Sequence, residues 1–219
     1  MQNFVEHLKS IELENVFNPY ADFCEYYDVL DAPQIRTNNL NELLISAIQN
    51  QVQTLWIGRD LGHRGGRRTG LALTDEYHLD DLNLKWDTHL IKATKGISIT
   101  ENTATAIWSI LNSINENIFL WNVFPLHPHE ENKPFTNRQH SAKEREIGKE
   151  ILFELINILK IKHIVAIGND AFDITSSFKI NGVTIDKVRH PSFGGKNDFI
   201  KQMQEIYNIE KNTNQLDLF

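Results

Sequence analysis

Apolar residues along this chain follow two spacings. From Asn3 to Val16, the residues Phe4, Val5, Leu8, Ile11 and Leu13 fall loosely at the helical period until Asn18-Pro19 breaks it. Asn39–Gln51 repeats the pattern with Leu40, Leu43, Leu44 and Ile48. Thr54–Gly58 is instead a continuous apolar run closing on glycine, which predicts a buried strand. A long polar stretch, Arg59–Gly70, reads as a loop. Thr103–Ile114 predicts a helix and Ile118–Val123 a second buried strand. His140–Leu159 is a long amphipathic helix entered through Ser141, with Glu144 three residues on, the spacing of a capping box. His163–Gly168 and Val183–Val188 predict two more strands, and Asp198–Tyr207 a closing helix. Strands alternating with helices argue for a parallel sheet covered on both faces. Such sheets bind ligands at the carboxyl ends of their strands. The places to look for chemistry are therefore Arg59–Gly70, Asn122–Glu130, Gly168–Asp170 and Arg189–Gly195.

Composition narrows the classes. The 219 residues suit one α/β domain with a small appendage, and 41% hydrophobic against 23% charged residues is ordinary for a globular chain. The formal net charge of -7 excludes a globally basic nucleic-acid coat but not a local basic face. A single cysteine, Cys24, leaves no internal disulfide framework and no cluster held by several thiolates. No apolar run approaches the roughly 20 residues of a membrane span. The start MQNFVEHLKS lacks the pattern of a secretory signal, so a cytoplasmic location is expected.

The first stretch holds five glycines, Gly58, Gly62, Gly65, Gly66 and Gly70, among Arg59, Arg64, Arg67 and Arg68. Glycines let backbone amides approach an anion, and guanidinium forks suit phosphate. Its one acid, Asp60, sits at the strand end. It matches neither a P-loop nor a dinucleotide fingerprint. The plain alternative is a solvated loop with a charge-paired aspartate. In Trp121–His129, Asn122 closes an apolar strand, where its amide needs partners and could read the edge of a planar base. A structural asparagine bonded to backbone is the alternative there. His127, His129 and Glu130 fit no metal spacing, and loop-structuring or phosphate contact is the preferred reading. After the fourth strand, Arg189-His190-Pro191-Ser192-Phe193-Gly194-Gly195-Lys196 offers an imidazole at the crevice and an aromatic wedge.

Together the Gly-x-Asp-x-Gly of residues 58–62, Thr69-Gly70, the Asn122 strand end and His190-Pro191-Ser192 resemble the uracil-DNA glycosylase superfamily. The Gly66–Gly70 loop and the Trp121–Pro128 stretch resemble a bacterial branch of it, and the likeness spans roughly Leu55–Tyr207. The resemblance implies a three-layer fold with a central four-stranded parallel sheet, and an enzyme that extrudes a nucleotide and hydrolyses its N-glycosidic bond without metal or cofactor. It implies that Asp60 stabilises positive charge at the sugar or positions water, while His190 and the amides near Asp60 serve the departing base. Asn122 would bond the base edge, with Gly58, Arg59, Leu61, Leu73 and Phe124 around it. Arg64, Arg67, Arg68, Thr69, Ser192 and Lys196 would grip DNA, and Phe193 would fill the emptied stack.

Departures bear on the substrate. The common bacterial Gly-Glu-Ala-Pro-Gly is here Gly58-Arg59-Asp60-Leu61-Gly62, and the usual Gly-x-Pro-Phe is Gly70-Leu71-Ala72-Leu73. Losing the aromatic platform removes stacking worth about 1–3 kcal/mol for a small uracil. It leaves room for a substituted pyrimidine. Relatives that excise glucosylated hydroxymethylcytosine from phage DNA make antiviral defence the favoured expectation, uracil repair its rival. An inactive DNA-binding relative and a metal-dependent nuclease are further alternatives. Residues 1–209 are expected to form one glycosylase-like domain. In the tail 210–219, Gln215, Leu216, Leu218 and Phe219 resemble the bacterial sliding-clamp-binding motif.

Overall fold

The computed structural model describes residues 2–178 and 180–209. Its centre is a four-stranded sheet in the order β3-β2-β5-β6, made of β2 (Thr54–Asp60), β3 (Phe119–Phe124), β5 (His163–Ile167) and β6 (Thr184–Val188). All three pairings are parallel, as expected. Leu55, Trp56 and Ile57 are fully buried because helices cover both faces. Trp56 pairs in register with Leu120, and Ile57 with Trp121, so the two tryptophans point to opposite faces. Trp121 meets Phe4 of α1 (Gln2–Lys9), whereas Trp56 donates its indole N–H to Tyr207 of α8 (Lys196–Tyr207) at 2.7 Å. That gives the three layers expected of the fold.

Several elements differ from the sequence reading. Helix α1 stops at Lys9, and Val16–Phe17 is a strand, β1, paired antiparallel with β4 (His127–Pro128). Helix α2 (Ala32–Gln49) begins earlier than expected, with proline in its first turn where no amide is lost. The polar stretch after β2 contains a one-turn helix, α3 (Gly66–Thr69), followed by α4 (Leu79–Trp86), which the pattern missed. Helix α5 spans Asn102–Leu111, and α7 (Asn169–Ser177) follows β5. Helix α6 (Ala142–Leu159) carries the expected capping box: Glu144 N–H donates to Ser141 Oγ, and the Glu144 carboxylate accepts from Ser141 N–H. It lies so close to β3 that a Cβ on Gly148 would stand 2.3 Å from the Val123 carbonyl oxygen. No helix among the described residues is long and apolar enough to cross a membrane.

Candidate active site

The parallel register brings the site together. Gly58 pairs with Asn122, and Asp60 with Phe124, so all four share the face of the sheet on which Trp56 and α8 lie. Asn122 is buried, and its amide oxygen has no hydrogen-bond partner among the described residues. It would stand 2.5 Å from a Cβ on Gly58, and Leu73 Cδ2 would be at 2.9 Å. Glycine at 58 therefore keeps open the space that Asn122 and Leu73 overlook. Leu73 is half-buried and holds a left-handed backbone (φ 54°), a strained geometry for a side-chain-bearing residue.

Asp60 is enclosed by charge. Its Oδ2 accepts from Arg59 Nε at 2.8 Å, and its Oδ1 from His140 Nδ1 at 2.5 Å. Arg59 reaches on to Asp170 of α7 at 3.2 Å. Arg145 Nε donates to His140 Nε2 at 3.3 Å. His140, Arg145 and Asp170 belong to none of the sequence motifs. Only the position of His140, just before the capping-box serine, hinted that it was held in place.

His190 follows β6 and packs at the end of β5, its Cβ 3.3 Å from where a Cβ on Gly168 would stand. Its Nδ1 accepts from the Ser192 amide at 3.1 Å and lies 2.7 Å from the Ser192 hydroxyl. The remaining Nε2–H of a neutral ring has no partner among the described residues. Burial, then the Arg59 and Arg189 charges, lower the His190 pKa to about 4, with Asp170 acting against them. At neutral pH the group is thus an uncharged donor. The turn beyond it holds Phe193 at 96% exposure with φ 51°, and Lys196 is exposed at the start of α8.

Other expected contacts need correction. Arg67 is buried: its guanidinium lies 3.7 Å from the Phe17 ring centroid, donates to the Tyr27 hydroxyl at 2.7 Å and meets His127 Nδ1 at 3.1 Å. Arg68 is buried over the Tyr27 ring and pairs with Glu76 at 3.0 Å, too bent for a hydrogen bond. Thr69 is buried and donates to the Thr74 carbonyl at 2.9 Å. These three hold the turn inside the protein and do not face phosphate. Leu61 is buried against Gly66, and its amide donates to the Leu126 carbonyl at 3.3 Å, so neither its side chain nor its N–H faces a substrate. Phe124 is fully buried with its ring 6.2 Å from that of His140. Ser192 directs its hydroxyl at His190 Nδ1. His127 ties loops together, its Nε2 bonded to the Thr136 carbonyl at 3.0 Å, and burial followed by Arg67 lowers its pKa to about 3. Arg64 is the most exposed of the loop arginines, and Arg59 is half-buried.

Arg64, His63, Asn137 and Glu101 line a polar cavity of about 470 Å³. Burial, then Asp75, raise the Glu101 pKa to about 7.

The model of the uracil DNA glycosylase superfamily matches residues 46–209. The chain belongs to that superfamily. Among solved structures, SMUG2 of Pedobacter heparinus has the same fold, with a TM-score of 0.64 at 14% identity over 94% of this chain and 96% of that one. A mutant of UNG from Nitratifractor salsuginis matches at a TM-score of 0.40 and 11% identity, over 94% of this chain and 95% of that one. No curated protein matches significantly. As a superfamily member the chain is a DNA glycosylase, a hydrolase that acts on DNA. The segments carrying Asp60, Asn122 and His190 all lie within the matched range.

Proposed function

We propose that this glycosylase excises a substituted pyrimidine, such as glucosylated hydroxymethylcytosine in phage DNA, leaving an abasic site. The carrying observation is the orphaned amide oxygen of Asn122 over Gly58. A buried acceptor without a donor costs about 1–3 kcal/mol, and an N–H on the edge of an everted base would restore it. A cytosine amine or a uracil N3–H supplies that donor. Leu73 in place of an aromatic platform weakens stacking on a plain pyrimidine ring and leaves room for a substituent on it. A polar cavity lined by His63, Asn137 and Glu101 offers the amide and carboxyl groups that suit a hydroxyl-rich substituent.

In this reading the C1′–N bond breaks and its electron pair leaves on the base. The Nε2–H of neutral His190 bonds the base oxygen where that charge gathers. The Asp60 carboxylate stabilises the cationic deoxyribose. Water adds its oxygen to C1′, and its spare proton ends on the departed base. No strand cleavage is part of the reaction, so the enzyme is monofunctional. Arg64, Arg189 and Lys196 would meet phosphates, and Phe193 would enter the vacated stack.

The test offers duplexes carrying uracil, glucosylated hydroxymethylcytosine or only ordinary bases, and measures alkali-labile abasic sites. Release of the glucosylated base supports the proposal; release of uracil alone replaces it with uracil repair. The tail residues Gln215, Leu216, Leu218 and Phe219 lie outside the described residues. We propose from their sequence that they dock on the sliding clamp, tethering a cytoplasmic domain of residues 1–209 to replicating DNA. Deleting 215–219 should abolish clamp pull-down and leave base release from short duplexes unchanged.

A further inference from the structure

Asp60 is gripped at both oxygens, and one of the two grips comes from a residue in none of the short motifs on which the family resemblance rests. Arg59 alone would hold Oδ2 only, and Arg59 is shared with Asp170. A carboxylate bound at one oxygen turns freely about its broad terminal torsion and follows the arginine. The second grip is His140 on Oδ1. Its side chain is fully buried, packed on Phe124. Its tautomer follows from its neighbours: Arg145 has only donors, so Nε2, at 3.3 Å from Arg145 Nε, accepts and the proton sits on Nδ1, facing Asp60. The backbone beside it is fixed as well. Ser141 N–H donates to the Glu144 carboxylate at 2.6 Å, and Arg138 holds that carboxylate with two contacts of 2.7 Å. Gly148 then lets α6 lie against β3.

We propose that His140 is a positioning residue for cleavage of the glycosidic bond. As a neutral Nδ1–H donor it fixes the orientation of the Asp60 carboxylate, and Arg145 fixes its tautomer. This role presupposes the part given to Asp60 under the proposed function. Misplacing a catalytic group by about 1 Å can slow a reaction about 100-fold.

Two measurements on the full chain test it. In single-turnover base release from whichever duplex is cleaved, His140→Ala should slow the step about 100-fold with DNA affinity unchanged. His140→Asn places an amide N–H where Nδ1 sits and should recover to within about tenfold of the parent. His140→Gln, whose amide lies where Nε2 sits, should not recover. Equal rates for the Asn and Gln variants would overturn the proposal, and so would a parental rate for the Ala variant. If the Ala variant does not fold, the Asn and Gln pair still decides. Asp60→Asn separates the two readings: if it keeps the parental rate, the part given to Asp60 fails; if it is inactive while the His140 variants are not, only the positioning role fails. Independently of any substrate, nitrogen-15 spectra of labelled histidine, assigned by the loss of signal in His140→Asn, should show Nδ1 protonated and Nε2 bare. The Nδ1–H resonance should move upfield in Asp60→Asn. A proton on Nε2 would overturn the proposal.

Discussion

Arg59 and Arg68 bracket one glycine-rich stretch, and their surroundings are opposite. Arg68 is closed in: Glu76 beside it, Thr94 at 3.3 Å, the Tyr27 ring against its plane, and almost no exposure. Arg59 keeps 41% of its side chain exposed and stands between Asp60 and Asp170. The same contrast separates other residues around these loops. Thr69 has its hydroxyl spoken for by backbone, whereas Asn122 has a buried oxygen with nothing to accept from and His190 an N–H with nothing to donate to. Residue type does not mark the site here. Unmet hydrogen-bonding capacity marks it only where it lies at the strand-end crevice, as at Asn122 and His190, since Arg68 Nε and the indole N–H groups of Trp86, Trp108 and Trp121 lack partners in the interior too.

If that contrast is right, substitutions on the two sides should fail differently. The largest effect belongs to Asp60→Asn. Base release should fall on the order of 10³-fold, as for loss of a preorganised charge at a transition state. Melting temperature and DNA affinity should change far less than the rate, since the amide keeps the size of the carboxyl and its oxygen still accepts from one of the two donors, Arg59 or His140. A large loss of stability with little loss of rate would place Asp60 with the scaffold.

Arg68→Ala should do the reverse. It strands the Glu76 carboxylate, whose side chain is fully buried, and breaking a buried pair in this way costs about 3–5 kcal/mol. Denaturant midpoints should drop sharply. The salt dependence of DNA binding should be unchanged, because the guanidinium never reaches a phosphate. A weakened salt slope without loss of stability would restore Arg68 to the DNA-binding face.

The sheet was legible because β2, β3 and β5 are built on short apolar runs bounded by polar residues or glycine, with the more polar edge strand β6 after them, and a parallel order follows from the helices between them. The candidate crevice was read from Asp60, which ends β2, Asn122, which lies inside β3, and His190, two residues past β6. What stayed hidden was supplied by the tertiary fold. Arg67 and Arg68 read as phosphate donors because sequence does not show that Phe17, Tyr27, Glu76 and His127 converge on them. His140 was passed over because its partner, Asp60, is brought to it only when α6 packs on β3 through Gly148. Helix α4 was missed because Leu79, Leu82 and Trp86 make too short a stripe to stand out, and its stability comes from packing.

Glu101 offers an intermediate case, a carboxyl that is largely buried but faces the polar cavity. Its folded pKa, about 7, lies above the ordinary carboxyl value of 4.5. The folded state therefore holds the extra proton between those values, and stability falls as pH rises through that window. Glu101→Gln removes the ionisation. It should raise stability at pH 8 by up to about 3 kcal/mol and change little at pH 4.5. His190 and His127 act with the opposite sign: their folded pKa values of about 4 and 3 are depressed, so stability falls as pH drops below about 6.5. Urea midpoints across pH 4–8 would separate the two limbs, and a Glu101→Gln curve that parallels the parent between pH 4.5 and 7 would contradict the assignment.

The smallest effect tests the most exposed residue. Phe193 touches little of its own domain, so Phe193→Ala should leave the melting temperature within about a degree, as for most exposed positions. Its large ring is nonetheless held out on a left-handed turn beside His190, next to Gly194 with φ 77°. A wedge in that place helps only where a stacked pair has to be opened, at a cost of a few kcal/mol. The substitution should therefore slow base release from fully paired duplex about tenfold, less from a mismatch and not at all from single-stranded DNA. Equal losses on all three substrates would mean that Phe193 contacts the everted base or the backbone and not the gap it leaves.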